Sequence, residues 1–448
     1  MSLPAFTPLL AAVQAAPVEL SGADTAWVLI STALVLLMTP ALGFFYGGLV
    51  RSKNMLNTLM MSYASLGVVA VAWFLVGYSL AFAPGSSWIG GFDYLFLKGV
   101  GLEGGPLSPA IPHLLFMAYQ GTFCIITAAL ISGAVVERMK FGPYLVFITL
   151  WSLFVYAPVA HWVWGGGWLG AMGALDFAGG TVVHVNAGIA AVVAAIVVGA
   201  RKDYGRKAQV PHNVVHVLLG SGLLWFGWFG FNGGSALGAN ATAALAFVNT
   251  MIAPAGTLTV WMLLDLMRNN KITAVGAATG IVIGLVAVTP AAGFVSPMGA
   301  LAIGAIAAFP SYFMILWRST TRLDDSLDVW AAHGTGGAVG AILTGVFASA
   351  AWGGKPGPVD GNMGQIGIQA IAILGALAYS GIATFVLLKA MSMFVSFRKT
   401  PGEEGVGLDV LAHGEEAYAR GEGAVLVHAD APVPVKGMMG ATPVTANR

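Results

Sequence analysis

Long apolar runs, broken at short intervals by glycine, proline and charged residues, dominate the chain. A helix crosses the hydrocarbon core of a bilayer with about 20 mostly apolar residues. Eleven such runs lie at about 26–50, 55–82, 113–136, 143–163, 178–200, 213–236, 243–267, 272–289, 296–317, 327–350 and 366–396. They are continuous, without the two-residue alternation of outer-membrane strands. The pattern predicts an all-α polytopic membrane protein with eleven transmembrane helices.

Composition narrows this further. Charged residues make up 9% of the 448 residues and hydrophobic ones 57%. A soluble domain carries about 25% charged residues, so a soluble globular protein is excluded. The 24 Phe, 13 Trp and 11 Tyr exclude disorder. A net charge of +1 excludes a nucleic-acid binder working through bulk positive charge. The single cysteine, Cys124, excludes an internal disulfide scaffold and a cysteine-based metal cluster.

Basic residues set the orientation. One set of loops carries Arg51, Lys53, Arg138, Lys140, Arg201, Lys202, Arg206, Lys207, Arg268, Lys271, Arg318 and Arg322; the opposite set carries Lys98 and Lys355. Twelve against two predicts an N-terminus outside and a C-terminal tail in the cytoplasm, in agreement with an odd number of spans. The chain divides into an N-terminal outer segment, 1–23, a membrane domain, 24–397, and a cytoplasmic tail, 398–448. Leu9 to Ala16 is mildly apolar and ends in small residues, as a signal peptide does, but no positive region precedes it; a cleaved signal and a retained outer segment both stay open. The tail is acidic over 402–420 and rich in Pro, Gly and Ala over 430–448, and reads either as a solvated end or as a regulatory segment under a pore.

An internal echo runs through the spans. Asp176 precedes His184 by eight residues, Asp325 precedes His333 by eight, and each histidine is followed at the fourth position by glycine, Gly188 and Gly337. The copies stand five spans apart, in spans of opposite direction, which predicts an inverted five-plus-five repeat with one extra helix, as in many transporters. At ~1.5 Å rise per residue each histidine would lie about 12 Å deep, in a core about 30 Å thick. Both imidazoles then approach the midplane, where two neutral rings can pass a proton by exchanging tautomers. The plainer alternative is a pair of core histidines bridging helices. Asp176 reads as a helix cap or as a fixed negative charge favouring cations at the outer mouth. H-E-x-x-H, P-loop and Gly-x-Ser-x-Gly motifs are absent, so neither an enzyme nor an ATP-driven pump is expected.

The run Asp176-Phe-Ala-Gly-Gly-Thr-Val-Val-His184-Val-Asn186-Ala-Gly188 resembles the signature of the ammonium transporter family (Amt/Mep/Rh), on its bacterial Amt side. Gly43-Phe-Phe-Tyr-Gly-Gly-Leu-Val-Arg51, Gln120-Gly-Thr-Phe123, Trp228-Phe-Gly-Phe-Asn-Gly-Gly-Ser235, His333-Gly-Thr-Gly-Gly337 and the tail Gly407-Leu-Asp-Val-Leu-Ala-His-Gly-Glu-Glu-Ala-Tyr418 are similar to family motifs in the same order. The resemblance covers about 24–420; Tyr119 departs from the phenylalanine expected there.

The resemblance implies a homotrimer with one pore per subunit. It implies an outer ammonium site at Trp164, Phe123 and Ser235, with Asp176 as a buried acid beside it, a gate of Phe123 and Phe231, and a twin-histidine pair, His184 and His333, lining an apolar pore. No cofactor or metal is implied. A P-II signal-transduction protein at the cytoplasmic face is the implied partner. Ammonium and potassium match in size and charge, but only ammonium can lose a proton. Recruitment, deprotonation and passage of ammonia, with the proton following through the histidines, would exclude potassium. The rivals are an electroneutral Rh-like ammonia channel, an ammonium sensor signalling through its tail, and a metalloenzyme built on His161, His184, His333 and Asp176.

Overall fold

The computed structural model describes residues 19–418. The residues before 19 and the tail beyond 418, including the Pro-, Gly- and Ala-rich end, lie outside the described residues. Within them the fold is helical, apart from one small hairpin. The helices are α1 (Gly22–Leu49), α2 (Ser52–Phe82), α3 (His113–Ala134), α4 (141–163), α5 (Gly180–Val198), α6 (Val214–Gly234), α7 (Ala241–Asn269), α8 (Ala274–Val288), α9 (Pro297–Ser319), α10 (330–347) and α11 (Gly364–Ser392). Nine helical segments among the described residues are long and apolar enough to cross a membrane; α8 is shorter, and α10 joins two pieces, Trp330–Thr335 and Gly336–Phe347. Each helix overlaps one of the apolar runs, with ends shifted by a few residues. The hairpin, β1 (Gly104–Gly105) with β2 (Ser108–Pro112), leads into α3.

Several helices are interrupted. Wider π turns occupy Trp73–Gly77 in α2, Ser152–Tyr156 in α4, Gly180–Val185 in α5 and Trp330–Thr335 in α10. Such turns re-aim side chains and recur at functional positions; the last two carry His184 and His333.

α1 packs along α6, and α5 against α10. The α5–α10 contact is backbone to backbone. A Cβ on Gly188 would lie 2.4 Å from Cα of Gly334, and one on Gly337 would lie 2.9 Å from Cβ of His184. Each glycine therefore makes room for the histidine turn of the other helix, which gives the His-x3-Gly spacing a steric reason.

A buried ionic cluster ties one end of the bundle together. Arg201 donates to Glu137 Oε2 at 2.7 Å and to Asp324 Oδ1 at 2.8 Å. Arg51 donates to Glu137 Oε1 at 2.8 Å, and Arg138 donates to the carbonyl of Asp324 at 2.7 Å. The connections α1–α2, α3–α4, α5–α6 and α9–α10 thus share one face of the molecule. The short tail helices α12 (Pro401–Val406) and α13 (Leu408–His413) dock on that face: Glu404 accepts from Lys202 N–H, and Asp409 accepts from the N–H groups of Leu56 and Asn57.

Candidate functional site

α3, the end of α4, the 173–179 connection and α6 converge on a cavity of about 300 Å3 at the end opposite the ionic cluster. Its lining includes Phe123, Trp164, Ser235, Gln120 and Leu237. α4 stops at Val163 because 165–167 are glycines. A Cβ on Gly165 would lie 2.0 Å from the carbonyl oxygen of Ala81. The break turns Trp164 inward, and its indole N–H donates to the carbonyl of Asp176 at 2.8 Å. Its ring meets Phe123 edge-on, centroids 6.0 Å apart.

Asp176 lies outside α5, which begins only at Gly180, so the descent to His184 is not helical throughout as the spacing alone suggested. Its carboxylate accepts four backbone N–H groups, from Gly179 (2.9 Å), Gly180 (2.6 Å), Thr181 (2.9 Å) and Val182 (3.0 Å). These are the orphan donors of the helix start. Asp176 thereby fixes the π turn that carries His184. Asp325 is not its equal: Oδ2 accepts from Trp330 N–H at 2.7 Å, and Oδ1 has no partner among the described residues.

Phe123 and Phe231 stack beneath this cavity, centroids 4.2 Å apart and planes 33° apart, both almost fully buried. Below them His184 and His333 stack with centroids 5.2 Å apart, Nδ1 to Nδ1 at 3.1 Å. At that distance one Nδ1 donates and the other accepts, so the accepting neutral ring carries its proton on Nε2. Two arrangements, related by tautomer exchange, satisfy the same geometry. Trp228 stacks on His184 at 5.5 Å and donates to Thr289 Oγ1 at 2.8 Å. A second cavity, of about 480 Å3, starts at Phe231 and the histidines and reaches Arg201, Tyr204 and Arg318 near the ionic cluster. Phe123 faces the first cavity and Phe231 the second, so the stacked rings separate the two.

All seven residues singled out from the sequence, Trp164, Phe123, Ser235, Asp176, Phe231, His184 and His333, thus line or support the two cavities and the rings between them. His161 does not join it: its ring nitrogens lie 2.9 Å and 2.8 Å from the carbonyls of Ala81 and Ser86. Sequence reasoning missed the part played by Tyr119. Its hydroxyl lies 3.0 Å from the carbonyls of both Gly230 and Phe231 and 3.3 Å from Ser235 Oγ, clamping the end of α6. The phenol in place of an expected phenylalanine was the signal. Thr289 and Leu237 were missed also: the run Val288-Thr-Pro-Ala-Ala-Gly293 is similar to a family motif but assigns Thr289 no role, and Leu237 lies just past the Trp228–Ser235 run.

The family model described as Ammonium Transporter Family matches residues 26–418. An ammonium transporter of Bacillus subtilis is 48% identical over 398 residues, spanning 88% of this chain and 98% of that one. One of Aquifex aeolicus is 49% identical over 406 residues, 90% and 95%. The crystal structure of Candida albicans Mep2 superposes with a TM-score of 0.81 at 37% identity, covering 86% of this chain and 88% of that one. A structure titled Sensor Amt Protein superposes with a TM-score of 0.82 at 30% identity, covering 87% and 98%.

Proposed function

The chain belongs to the ammonium transporter family, and from that premise we propose that it takes up ammonium across the cytoplasmic membrane by separating ammonia from its proton. The observation that carries this is the Phe123–Phe231 stack, which divides an outer cavity that holds Ser235 and Gln120 from an inner one that is headed by the histidine pair, apolar beside it at Leu42, Leu130 and Val183, and charged only toward its far end at Arg201 and Arg318. Ammonium is held outside by the faces of Phe123 and Trp164 and by the Ser235 hydroxyl, whose own proton goes to the Phe231 carbonyl at 2.8 Å, leaving its lone pairs to accept. The backbone-bound Asp176 carboxylate adds a fixed negative charge behind Trp164. Carrying an intact cation past the rings costs several kcal/mol on the cheapest scales, whereas neutral ammonia avoids that cost. The proton follows by tautomer exchange between His184 and His333. Potassium has no proton to give up and stays outside.

In this reading the helices make eleven crossings in an inverted five-plus-five arrangement, and the ionic cluster faces the cytoplasm. The protein works as a homotrimer with one pore per subunit, its inner face open to a P-II signal-transduction protein. The likeness to a sensor Amt structure supports a second reading, in which the docked tail reports pore occupancy. Ammonium uptake into proteoliposomes tests the main proposal: Trp164→Leu weakens apparent ammonium affinity by about tenfold, and an unaltered affinity contradicts the outer site.

A further inference from the structure

We propose that Leu237 is a specificity-determining residue of the outer cavity, setting how many N-methyl groups an arriving ammonium ion can carry. The inference rests on the outer-cavity reading above and names a determinant that reading does not include.

Leu237 has φ +54, in the left-handed region. Bulky side chains rarely adopt it, and glycine occupies it freely. Phe96, Leu97, Glu137, Asn270 and Asp328 share a positive φ among the described non-glycine residues, but of the six only Leu237 lines the outer cavity.

The backbone there is pinned from both sides. Leu237 N–H donates to the Gly234 carbonyl at 2.8 Å, closing the turn that ends α6. The Trp27 indole donates to the Gly233 carbonyl at 3.0 Å, and Asp24 accepts from Ala239 N–H at 2.7 Å, so α1 holds the loop on either flank. Asn240 then caps α7 through Ala243 N–H at 3.0 Å. The loop keeps its conformation whichever side chain stands at 237. An unfavourable leucine in an over-determined backbone, beside a functional cavity, is a pattern of strain retained for function.

The chemistry of the cavity leaves such a task unfilled. Aromatic faces attract methylated ammonium ions as well as ammonium, and Ser235 can accept from any ion that keeps one N–H. Neither contact rejects a homologue, so rejection needs a steric wall. Leu237, half-buried, lines the same cavity as Phe123, Trp164 and Ser235 and puts branched bulk beside them. Leu107, in the turn between β1 and β2, adds aliphatic lining from a second loop.

The test uses the full-length protein in proteoliposomes, with uptake of labelled methylammonium competed by ammonium, dimethylammonium and trimethylammonium. Leu237→Gly relieves the backbone and removes the wall; Leu237→Ala removes the wall alone. In Leu237→Gly the ratio of inhibition constants, dimethylammonium over ammonium, falls by about tenfold or more, the scale of one methyl-sized step in a fitted pocket. It falls in Leu237→Ala too. An unchanged ratio in both variants, with thermal midpoints at or above that of the parent, overturns the proposal. Trp164→Leu in the same assay separates the failures. If it weakens ammonium competition while the Leu237 ratio stays fixed, this inference alone is wrong. If it changes nothing, the outer-cavity reading falls, and this inference with it.

Discussion

At the residue scale, the path depends on groups whose positions are set by backbone rather than by side-chain partners. Asp176 is the clearest case: four amide donors converge on one carboxylate, and the π turn they start carries His184. Gly188 is the second. Any side chain there meets the backbone of Gly334, and the neighbouring residue on that strand of contact is His333. Gly188→Ala must push α10 away from α5 and so disturb the Nδ1 to Nδ1 distance. Overpacking of a tight contact destabilises by about 1–3 kcal/mol. Gly188→Ala is expected to lower the thermal midpoint of the purified protein and reduce uptake together; normal stability and normal uptake would show that the crossing is looser than described. The histidines and Asp176 were legible in the sequence because their spacing repeats. Leu237 was not, since a left-handed leucine leaves no periodic trace, and Tyr119 showed only as a departure from the expected phenylalanine, without the two carbonyls its phenol clamps.

At the element scale, apolar run length was enough to locate the helices, because a bilayer fixes how long each must be. The π turns and the stop at Trp164 were not legible: hydropathy does not distinguish a four-residue from a five-residue hydrogen-bond step. The connections at the basic end behaved differently from a simple topology signal. Basic residues there do more than mark a side, since Arg51 and Arg201 meet Glu137, and Arg201 also meets Asp324, in a buried network. Burial alone would raise the pKa of Glu137 and of Asp324. The guanidinium of Arg201 and its neighbours outweigh that and hold both below the usual carboxylate range. A carboxylate with a depressed folded pKa contributes stability that is present above its unfolded pKa and lost as pH falls through the folded one. The thermal midpoint should therefore fall as pH drops through and below about 4. Glu137→Gln should lower the midpoint at pH 7, because Arg201 and Arg51 lose an anionic partner, and should flatten the acid dependence. A midpoint in that variant equal to the parent's at pH 7 would mean that the cluster contributes nothing net.

At the scale of the whole molecule, the tail helices meet the membrane bundle at several points, Lys202 and the start of α2 among them. Asp409 accepts from Leu56 and Asn57, at the point where α2 passes from its 3-10 start (Ser52–Asn54) into α-helix, and Asn54 accepts from Leu408 N–H at 2.8 Å. A carboxylate at a helix start favours the helix through free N–H groups and the dipole, typically by about 1 kcal/mol. The contact lies outside both cavities, so it can alter how the inner face is held without touching the outer site. Asp409→Ala is expected to change the maximal uptake rate severalfold while leaving the preference for ammonium over potassium intact; a changed preference would place the tail in the selectivity step.

The central claim is that ammonia and its proton part at the phenylalanine stack and that the proton crosses on His184 and His333. The most direct test is charge movement across proteoliposomes after an ammonium jump, with a potassium jump and the His333→Ala variant beside it. The account predicts a saturable ammonium current, no potassium current, and loss of the ammonium current in His333→Ala. An undiminished, potassium-free ammonium current in that variant, or alkalinisation of the lumen with no current in the parent protein, would contradict it.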